Sequence, residues 1–184
     1  MQLRSVPIAL HLEPGRALDV GSGEGADSIW LAGRGWSVTG IDFSTVALER
    51  AATHAAAAGV GERTEWRHVD VRTFGQGGVD EQWDLVTSQF MHLPDGAMVD
   101  LTRRLGAAVA PGGTMLVVGH HPDDLPTGQR HGRRSFMFTP EDLLPALDPD
   151  DWEIQVADVR LRTAAGHDGE PHTLRDSVLR ARRR

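Results

Sequence analysis

Residues 17–25 read Ala-Leu-Asp-Val-Gly-Ser-Gly-Glu-Gly, which places a glycine-rich turn directly after a short apolar strand. A helical pattern follows the turn to about residue 34. Because glycine has no Cβ atom, a backbone built from it can approach a bound ligand closely. Close packing of the strand against the helix is the alternative explanation for such a turn. The surrounding sequence is needed to distinguish ligand binding from close packing.

The remainder of the chain alternates short apolar runs with helical patterns. This alternation predicts an α/β fold, a single Rossmann-like, doubly wound and mostly parallel sheet. The predicted strands cover residues 17–20, 37–41, 64–69, 83–89 and 114–119, and the predicted helices cover 24–34, 44–58, 96–110 and a short segment from Thr139. Strand-like alternation over 152–162 and 172–182, with a turn between them, adds an antiparallel C-terminal strand.

Length and charge exclude several classes of protein. The 184 residues suffice for one sizeable core, so we expect one domain over residues 1–184 with a short region before the first strand. A net charge of −7 argues against broad electrostatic capture of nucleic acid or an anionic membrane. No apolar run reaches the length of a membrane span and no long signal core is present, so a cytoplasmic protein is expected. The terminal Arg180, Arg182, Arg183 and Arg184 are interpreted as a frayed, solvated tail.

Four residue types, Cys, Lys, Tyr and Asn, do not occur in the sequence. Without cysteine there is no disulfide, thiolate nucleophile or cysteine zinc site. Without lysine there is neither a Schiff base nor a phosphate-binding lysine of the P-loop type. These chemistries are excluded whatever the fold.

Two aspartates follow the second and third predicted strands. Asp42 stands where a carboxylate could accept paired hydrogen bonds from the hydroxyls of a ribose, and Asp70 repeats the arrangement one strand later. Ligands of open α/β sheets bind beyond the carboxyl ends of the strands, so the glycine-rich turn and both aspartates fit one pocket. Either aspartate taken alone is equally well explained as a helix cap or turn former.

These blocks together resemble the class I S-adenosylmethionine-dependent methyltransferases, including small bacterial members similar to tellurite-resistance and thiopurine-type enzymes. The resemblance covers roughly residues 16–122. Besides residues 17–25 it rests on Val-Thr-Gly-Ile-Asp-Phe-Ser at 38–44, His-Val-Asp-Val at 68–71, Trp-Asp-Leu-Val at 83–86 and Ala-Pro-Gly-Gly-Thr at 110–114. Many members carry further helices before the first strand, and only about sixteen residues precede it here. A partner subunit in a homodimer, the 120–138 loop or the acceptor itself is a candidate to close the site.

The resemblance implies S-adenosylmethionine as cofactor and a set of residues that bind it. Gly21 and Gly23 would pass close to the methionine part, and Asp42 would take the ribose hydroxyls. Asp70 would meet the adenine amino group, and residues 88–92 would face the sulfonium and the acceptor. The expected cofactor-binding residues are Asp19, Gly21, Ser22, Gly23, Asp42, Phe43, Asp70, Val71 and Gln89.

Methyl transfer from a sulfonium is an in-line displacement for which positioning of the two reactants can suffice. A general base is required only when the acceptor must lose a proton. His92, just past the fourth strand, is the candidate catalytic residue, because imidazole titrates near neutral pH. A histidine that satisfies a backbone group of the loop is the alternative. His120 and His121 follow the fifth strand and could also reach the pocket.

The segment His120-His121-Pro122-Asp123-Asp124 does not predict a metal site, because adjacent side chains point apart and no third ligand has suitable spacing. The basic residues Arg130, His131, Arg133 and Arg134 could select a carboxylate or phosphate, although a solvated loop explains them more simply. We therefore expect no metal and a small-molecule acceptor, with nucleic acid disfavoured by the net charge.

Two other function classes remain open from the sequence. A nicotinamide-dependent oxidoreductase also carries a glycine-rich turn and an acid after the second strand, and Ala26 stands at the third position of the dinucleotide fingerprint. Against it, a second dinucleotide-binding half and a Tyr-Lys proton relay are missing. The second alternative is a non-catalytic cofactor- or partner-binding domain of the same fold.

Overall fold

The computed structural model describes residues 12–125, 133–165 and 171–184. Its strands are β1 (Arg16–Val20), β2 (Ser37–Asp42), β3 (Thr64–His68), β4 (Trp83–Gln89), β5 (Val109–His120), β6 (Trp152–Ala165) and β7 (Pro171–Arg183). Its helices are α1 (Ala26–Ala32), α2 (Thr45–Ala57), α3 (Ala97–Ala107) and α4 (Pro140–Leu143). Short 3₁₀ turns cover residues 61–63, 122–124, 134–136 and 144–146.

The seven strands form one sheet in the order β3-β2-β1-β4-β5-β7-β6. Strands β1 to β5 pair in parallel, and β7 pairs antiparallel with both β5 and β6. The predicted Rossmann-like sheet with an antiparallel C-terminal strand is therefore confirmed. The order reverses between β1 and β4, and ligands of open α/β sheets bind at such a reversal.

Side chains of the strands divide between two faces of this sheet. Leu18 and Val86 belong to the core beneath α3 and α4, whereas their neighbours Ala17 and Leu85 belong to the core beneath α1. Alternation with period two, apolar on both sides, is what a parallel sheet covered by helices requires. The carboxyl ends of the strands therefore lie between two packed layers.

Helix boundaries follow local capping chemistry. Ser44 caps α2 as predicted, since its Oγ accepts a hydrogen bond from the backbone N of Ala47 at 3.2 Å. Helix α1 begins at Ala26, two residues later than predicted, because Gly25 adopts a left-handed conformation with φ of 83° and ends the turn. A Cβ at Gly25 would overlap the ring of Trp66, so close packing also requires glycine there.

The fifth strand begins before the Pro111-Gly112-Gly113 run that was expected to precede it. Val109 pairs with Trp83, the register then shifts, and Thr114 pairs with Leu85. The run is a bulge inside the first part of β5, and α3 ends at Ala107 instead of Ala110. Proline cannot donate to a ladder and glycine bends easily, so the run interrupts the pairing without ending the strand.

The interpretation of the last arginines as a frayed tail was wrong. Strand β7 runs to Arg183, whose Nη1 donates to the carbonyl of Val109 at 2.5 Å. The backbone N of Arg184 donates to the carbonyl of Asp151 at 2.8 Å. Because β7 inserts between β5 and β6, its last residues have partners on both sides.

None of the helices in the described parts of the chain is long and apolar enough to cross a membrane. The predicted turn between the last two strands is shorter than expected, since β6 extends to Ala165 and β7 starts at Pro171. Residues 166–170 of that turn lie outside the described residues, as do Arg130 and His131 of the predicted basic patch.

Candidate functional site

A cavity of about 570 Å³ opens at the carboxyl ends of the strands around the reversal of strand order. Residues that follow β1, β2, β3 and β4 all contribute to its wall. Its lining consists of Gly21, Asp42, Phe43, Asp70, Val71, Arg72, Phe90, Met91, His92 and Leu93. We call it the cofactor cavity. It brings together five of the nine residues predicted to bind the cofactor and the candidate base His92.

The glycine-rich turn is fixed to the neighbouring strand by its backbone. The amides of Gly21 and Ser22 both donate to the carbonyl of Ile41, at 2.9 and 3.0 Å. A Cβ at Gly23 would meet no atom within 4 Å, so space is open beside this part of the turn. The hydroxyl of Ser22 is buried and has no hydrogen-bond partner in the described part of the structure. The turn thus offers open space beside Gly23, whereas the Ser22 hydroxyl is enclosed beside Gly40 and does not line the cavity.

Asp42 is held by two backbone amides. Its Oδ2 accepts a hydrogen bond from Gly23 N and its Oδ1 accepts one from Ser44 N, both at 2.9 Å. The side chain is buried yet lines the cavity. An ionised carboxylate has about four acceptor positions, so each oxygen keeps one for a ligand hydroxyl. Both interpretations of this residue, turn former and hydroxyl acceptor, are compatible with the geometry.

Asp70 has a partner that the sequence reasoning missed. The guanidinium of Arg72 donates hydrogen bonds to this carboxylate from Nε at 3.0 Å and from Nη2 at 2.6 Å. The backbone N of Arg72 also donates to Oδ1 at 2.9 Å. These hydrogen bonds from Arg72 lower the pKa of Asp70 to about 2. An adenine amino group would therefore meet a carboxylate that already accepts from an arginine. The Asp-x-Arg spacing across a turn was the available signal.

The turn that carries Asp70, Val71 and Arg72 is anchored from the other side of the cavity by Arg104 of α3. Its Nη1 donates to the carbonyls of Val71 and Arg72, both at 3.1 Å, and to that of Phe74 at 2.5 Å. Arg104 acts on the site through the backbone of this turn and does not line the cavity. Nothing in the sequence pattern links residues thirty positions apart, so this role was not foreseeable.

Phe43 is the most exposed large apolar residue of the described chain, with 73% of its surface accessible. It stands at the rim of the cavity directly after Asp42. Val71 faces the same space but is largely buried and joins the core. An exposed aromatic ring beside a cavity provides a flat apolar surface against which a base can stack.

The segment after β4 crosses the cavity in an unusual conformation. Phe90 has a positive φ of 56°, which a phenylalanine seldom adopts and which occurs preferentially at functional sites. The segment places Met91 over the glycine-rich turn, where the Met91 sulfur would lie 3.1 Å from a Cβ at Gly21. Residues 90–93 line the cavity as predicted for this region, whereas Gln89 pairs with Val118 inside the sheet and does not.

Aromatic rings from distant parts of the chain meet at His92. Its imidazole stacks on that of His120 with ring centroids 4.7 Å apart, and lies 5.9 Å from the ring of Phe138. His120 in turn lies 5.0 Å from Phe90. His120 thus reaches the site through His92, as the sequence allowed. His121 does not line the cavity; it is buried and its Nδ1 accepts from Asp123 N at 3.2 Å.

An ion pair borders this group of rings. Arg162 donates to the buried Asp176 at 2.5 Å, and the Arg162 guanidinium lies 5.9 Å from the centre of the Phe90 ring. Asp176 is paired in register with His120 across β7 and β5. Sequence reasoning missed both residues, because they lie on C-terminal strands more than seventy positions from Phe90.

Asp19 lies behind the glycine-rich turn and not in the cavity wall. It is buried and accepts a hydrogen bond from Ser28 Oγ at 2.6 Å. Burial, helped by the nearby Asp27, raises the pKa of Asp19 to about 7. A carboxyl group so placed can support the turn, and it changes its charge near neutral pH. In the described residues, no group of three or more His, Cys, Asp or Glu side chains is arranged to hold a metal ion.

A family described as a methyltransferase domain matches residues 17–113. The chain belongs to this family. The resemblance noted from the sequence blocks is thereby confirmed, and the match includes the glycine-rich turn, Asp42, Asp70 and the segment after β4. S-adenosylmethionine is the cofactor that this membership supports.

The domain is similar to enzymes with quite different acceptors. It is 36% identical over 105 residues to the ubiquinone biosynthesis O-methyltransferase of Psychrobacter cryohalolentis, covering 55% of this chain and 39% of the relative. It is 34% identical over 112 residues to the ribosomal RNA small subunit methyltransferase C of Alcanivorax borkumensis, covering 59% of this chain and 33% of the relative. The chain thus matches well under half the length of either relative.

Among solved structures, the magnesium protoporphyrin IX methyltransferase of Synechocystis with bound S-adenosylhomocysteine (SAH) has the same fold. The TM-score is 0.71 at 20% identity, covering 97% of this chain and 78% of that one. At this identity the likeness concerns the fold alone.

Proposed function

We propose that the domain transfers a methyl group from S-adenosylmethionine to a small-molecule acceptor by in-line displacement. The observation that carries this proposal is the cofactor cavity itself, whose lining includes the carboxylates of Asp42 and Asp70, the rings of Phe43 and Phe90, the Met91 side chain and the imidazole of His92. The methyltransferase family membership supports this function over the nicotinamide-dependent alternative.

The chain's own residues fit the proposed cofactor. Asp42 keeps an acceptor position on each oxygen for the ribose hydroxyls, and Phe43 presents a ring for the adenine. The open space beside Gly23 leaves room for the methionine part. When bound, the cofactor supplies an electrophilic methyl carbon together with its leaving group. The protein has to position the acceptor opposite that carbon and exclude water.

We assign the acceptor's proton to His92. It lines the cavity, and stacking against His120 and Phe138 restricts its ring. A general base has to lie within hydrogen-bond reach of the proton it removes, and a held imidazole satisfies this more readily than a mobile one. An acceptor that must lose a proton, such as a hydroxyl group, would need this base.

A small acceptor fits the charge of the protein better than a nucleic acid does. With a net charge of −7, association with a polyanion would be unfavourable outside a local basic face. The ribosomal RNA enzyme among the relatives keeps the alternative open to test. Salt-dependent binding of a short RNA duplex would contradict the small-molecule proposal.

Calorimetric titration of the cofactor-free protein tests the central proposal. We expect saturable binding of S-adenosylmethionine and SAH and none of NAD or NADP, since the site offers no second nucleotide-binding half. Binding of the nicotinamides alone would overturn the proposal. Binding of the adenosyl compounds without SAH release over a broad acceptor panel would instead favour the non-catalytic alternative.

The role of His92 is tested by His92→Gln, which retains a polar side chain but cannot take up a proton near neutral pH. Once an acceptor is identified, we expect kcat to fall by roughly 10²-fold or more while KM changes little. Unchanged kcat across the pH range would exclude His92 as the base.

A further inference from the structure

A second cavity, of about 520 Å³, lies beside the cofactor cavity. It is bounded by the segment after β4, the first turn of α3, the residues before α4 and α4 itself. Its walls are predominantly apolar and include Leu93, Met98, Val99, Met137, Phe138 and Leu143. We call it the side cavity. Its volume falls in the range of pockets that bind small organic molecules.

The two cavities meet at one place. Leu93 lines both of them. Phe138, in the wall of the side cavity, lies 5.9 Å from the ring of His92, which lines the cofactor cavity. Glycine at position 119 makes this contact possible, because a Cβ there would overlap Phe138 and lie 3.1 Å from His92 Cε1. A molecule that extends from the side cavity past Leu93 would reach the part of the cofactor cavity that His92 lines.

The charged residues at the rim carry both signs. Arg134 stands with Asp95 and Asp142, and the Asp142 carboxylate already accepts from Thr139 N at 2.7 Å. Asp95 N donates to the carbonyl of Ser135 at 3.0 Å, which ties the segment after β4 to the opposite wall. Such a rim does not select an acidic or a basic molecule, so a neutral occupant suits it best.

The chemistry of the walls narrows the occupant further. Two methionines and a phenylalanine line the space, and thioether sulfur makes favourable contacts with aromatic rings. A base at the junction is useful to a hydroxyl acceptor, whereas a free amine or a thiolate would not require one. Apolar walls, a rim of mixed charge and an imidazole in the wall of the adjoining cavity together fit an aromatic alcohol of the phenol type.

We propose that the side cavity binds the body of the methyl acceptor and that this acceptor is a neutral aromatic compound with a hydroxyl group. The inference rests on the proposed methyltransferase function. A ring nitrogen of His92 takes the hydroxyl proton, and the oxygen forms the new bond to the methyl carbon. The carbon–sulfur bond breaks with its electron pair remaining on sulfur. The products are an aryl methyl ether, SAH and a protonated His92, which returns its proton to solvent.

The test is a calorimetric titration of the full, SAH-saturated chain with 2-naphthol, a neutral bicyclic phenol. Val99→Trp places a large ring in the side cavity from α3, and Leu161→Trp is the matched control, because Leu161 is exposed on β6 and lines neither cavity. We expect saturable binding to the unaltered protein, a loss of affinity of at least about tenfold in Val99→Trp, and no change in the control.

The affinity for SAH distinguishes failure of the proposed function from failure of the side-cavity proposal. Absence of SAH binding in the unaltered protein would refute the proposed function itself. Intact SAH binding with no 2-naphthol binding, or with 2-naphthol binding equal in Val99→Trp, would overturn the side-cavity proposal alone. If Val99→Trp also loses SAH binding because it misfolds, Met137→Trp fills the cavity from the opposite wall and is judged by the same criterion.

Discussion

The two sides of the site are built in different ways. On the cofactor side, at the ends of β1 to β3, the polar groups are held by hydrogen bonds from residues of the strand-end turns. Asp42 accepts from Ser44, and Asp70 is held by Arg72. On the acceptor side, at the ends of β4 and β5, contacts join His92 to His120 and to Phe138, residues far apart along the chain.

The two sides therefore differ in the interactions that hold their residues in place. Hydrogen bonds within and between the strand-end turns fix the cofactor side largely by backbone geometry. Ring packing fixes the acceptor side, and such packing depends on residues from several elements being in place together. A change on the cofactor side should therefore alter ligand affinity directly, whereas a change on the acceptor side should alter packing first and leave the cofactor bound.

The largest effect is expected for Asp42→Ala. The variant loses the hydrogen bond from Gly23 N that ties the glycine-rich turn to β2, the one from Ser44 N at the start of α2, and the acceptor positions for the ribose hydroxyls. We expect the affinity for SAH, measured by calorimetry, to fall by roughly 100-fold, or about 2.7 kcal/mol. Glu49→Ala, on the exposed face of α2, is the control. An Asp42→Ala affinity within a few-fold of the original would mean that this carboxylate only forms the turn.

Gly119→Ala should show the opposite pattern on the acceptor side. The added methyl group would displace Phe138 and press on His92. Overpacking of this kind costs about 2 kcal/mol, which thermal or denaturant unfolding would reveal. SAH affinity should remain within about twofold, since the hydrogen bonds that hold Asp42 and Asp70 do not involve residue 119, Phe138 or His92. A large loss of SAH binding would show that the two sides are coupled more tightly than their contacts indicate.

Asp19 provides a pH-dependent test of the support behind the turn. Its pKa in the folded protein is about 7, against an ordinary value of 3.8 for an aspartate. The folded state therefore keeps a proton that the unfolded state has lost between about pH 4 and pH 7, so this group's contribution to stability is full below that window and declines as the pH rises through it.

Asp19→Asn removes this titration and can still accept the hydrogen bond from Ser28. We expect the variant to be more stable than the unaltered protein by roughly 1–2 kcal/mol near pH 8 and equally stable near pH 4. Denaturant unfolding at the two pH values measures the difference. The exposed Asp150→Asn is the control, and a gain of the same size at both pH values would argue against a buried, protonated Asp19.

The smallest effect is expected for Arg72→Ala. Arg72 is exposed and competes with a bound adenine for the carboxylate of Asp70. Exposed ion pairs are weak, so its removal should tighten SAH binding by no more than about fivefold. A calorimetric comparison with Arg63→Ala, which does not line the cavity, isolates the effect. Markedly weaker SAH binding would instead make Arg72 a direct contact of the cofactor.

Much of the fold was readable because its signals are local. The cap at Ser44 and the glycine-rich turn before α1 each depend on a few consecutive residues, and both appear where expected. The sequence pattern placed the Pro111-Gly112-Gly113 run before the fifth strand, and that prediction was wrong. The pairing of Val109 with Trp83 extends β5 across the run. A partner strand decided this boundary, and the sequence of β5 does not contain that information.

The sequence by itself determined the family and the order of strands and helices, and it led to the expectation of a cofactor site at the ends of β1 to β3. These features depend on short-range chemistry, such as glycine in a turn after a strand or an acid at a strand end, which a linear pattern preserves. Only the tertiary structure decided that Arg72 holds Asp70, that Arg104 anchors the turn beside it, and that Phe138 meets His92 next to a second cavity. Such contacts result from the packing of distant segments, and packing is a property of the folded surfaces together and not of any stretch of sequence.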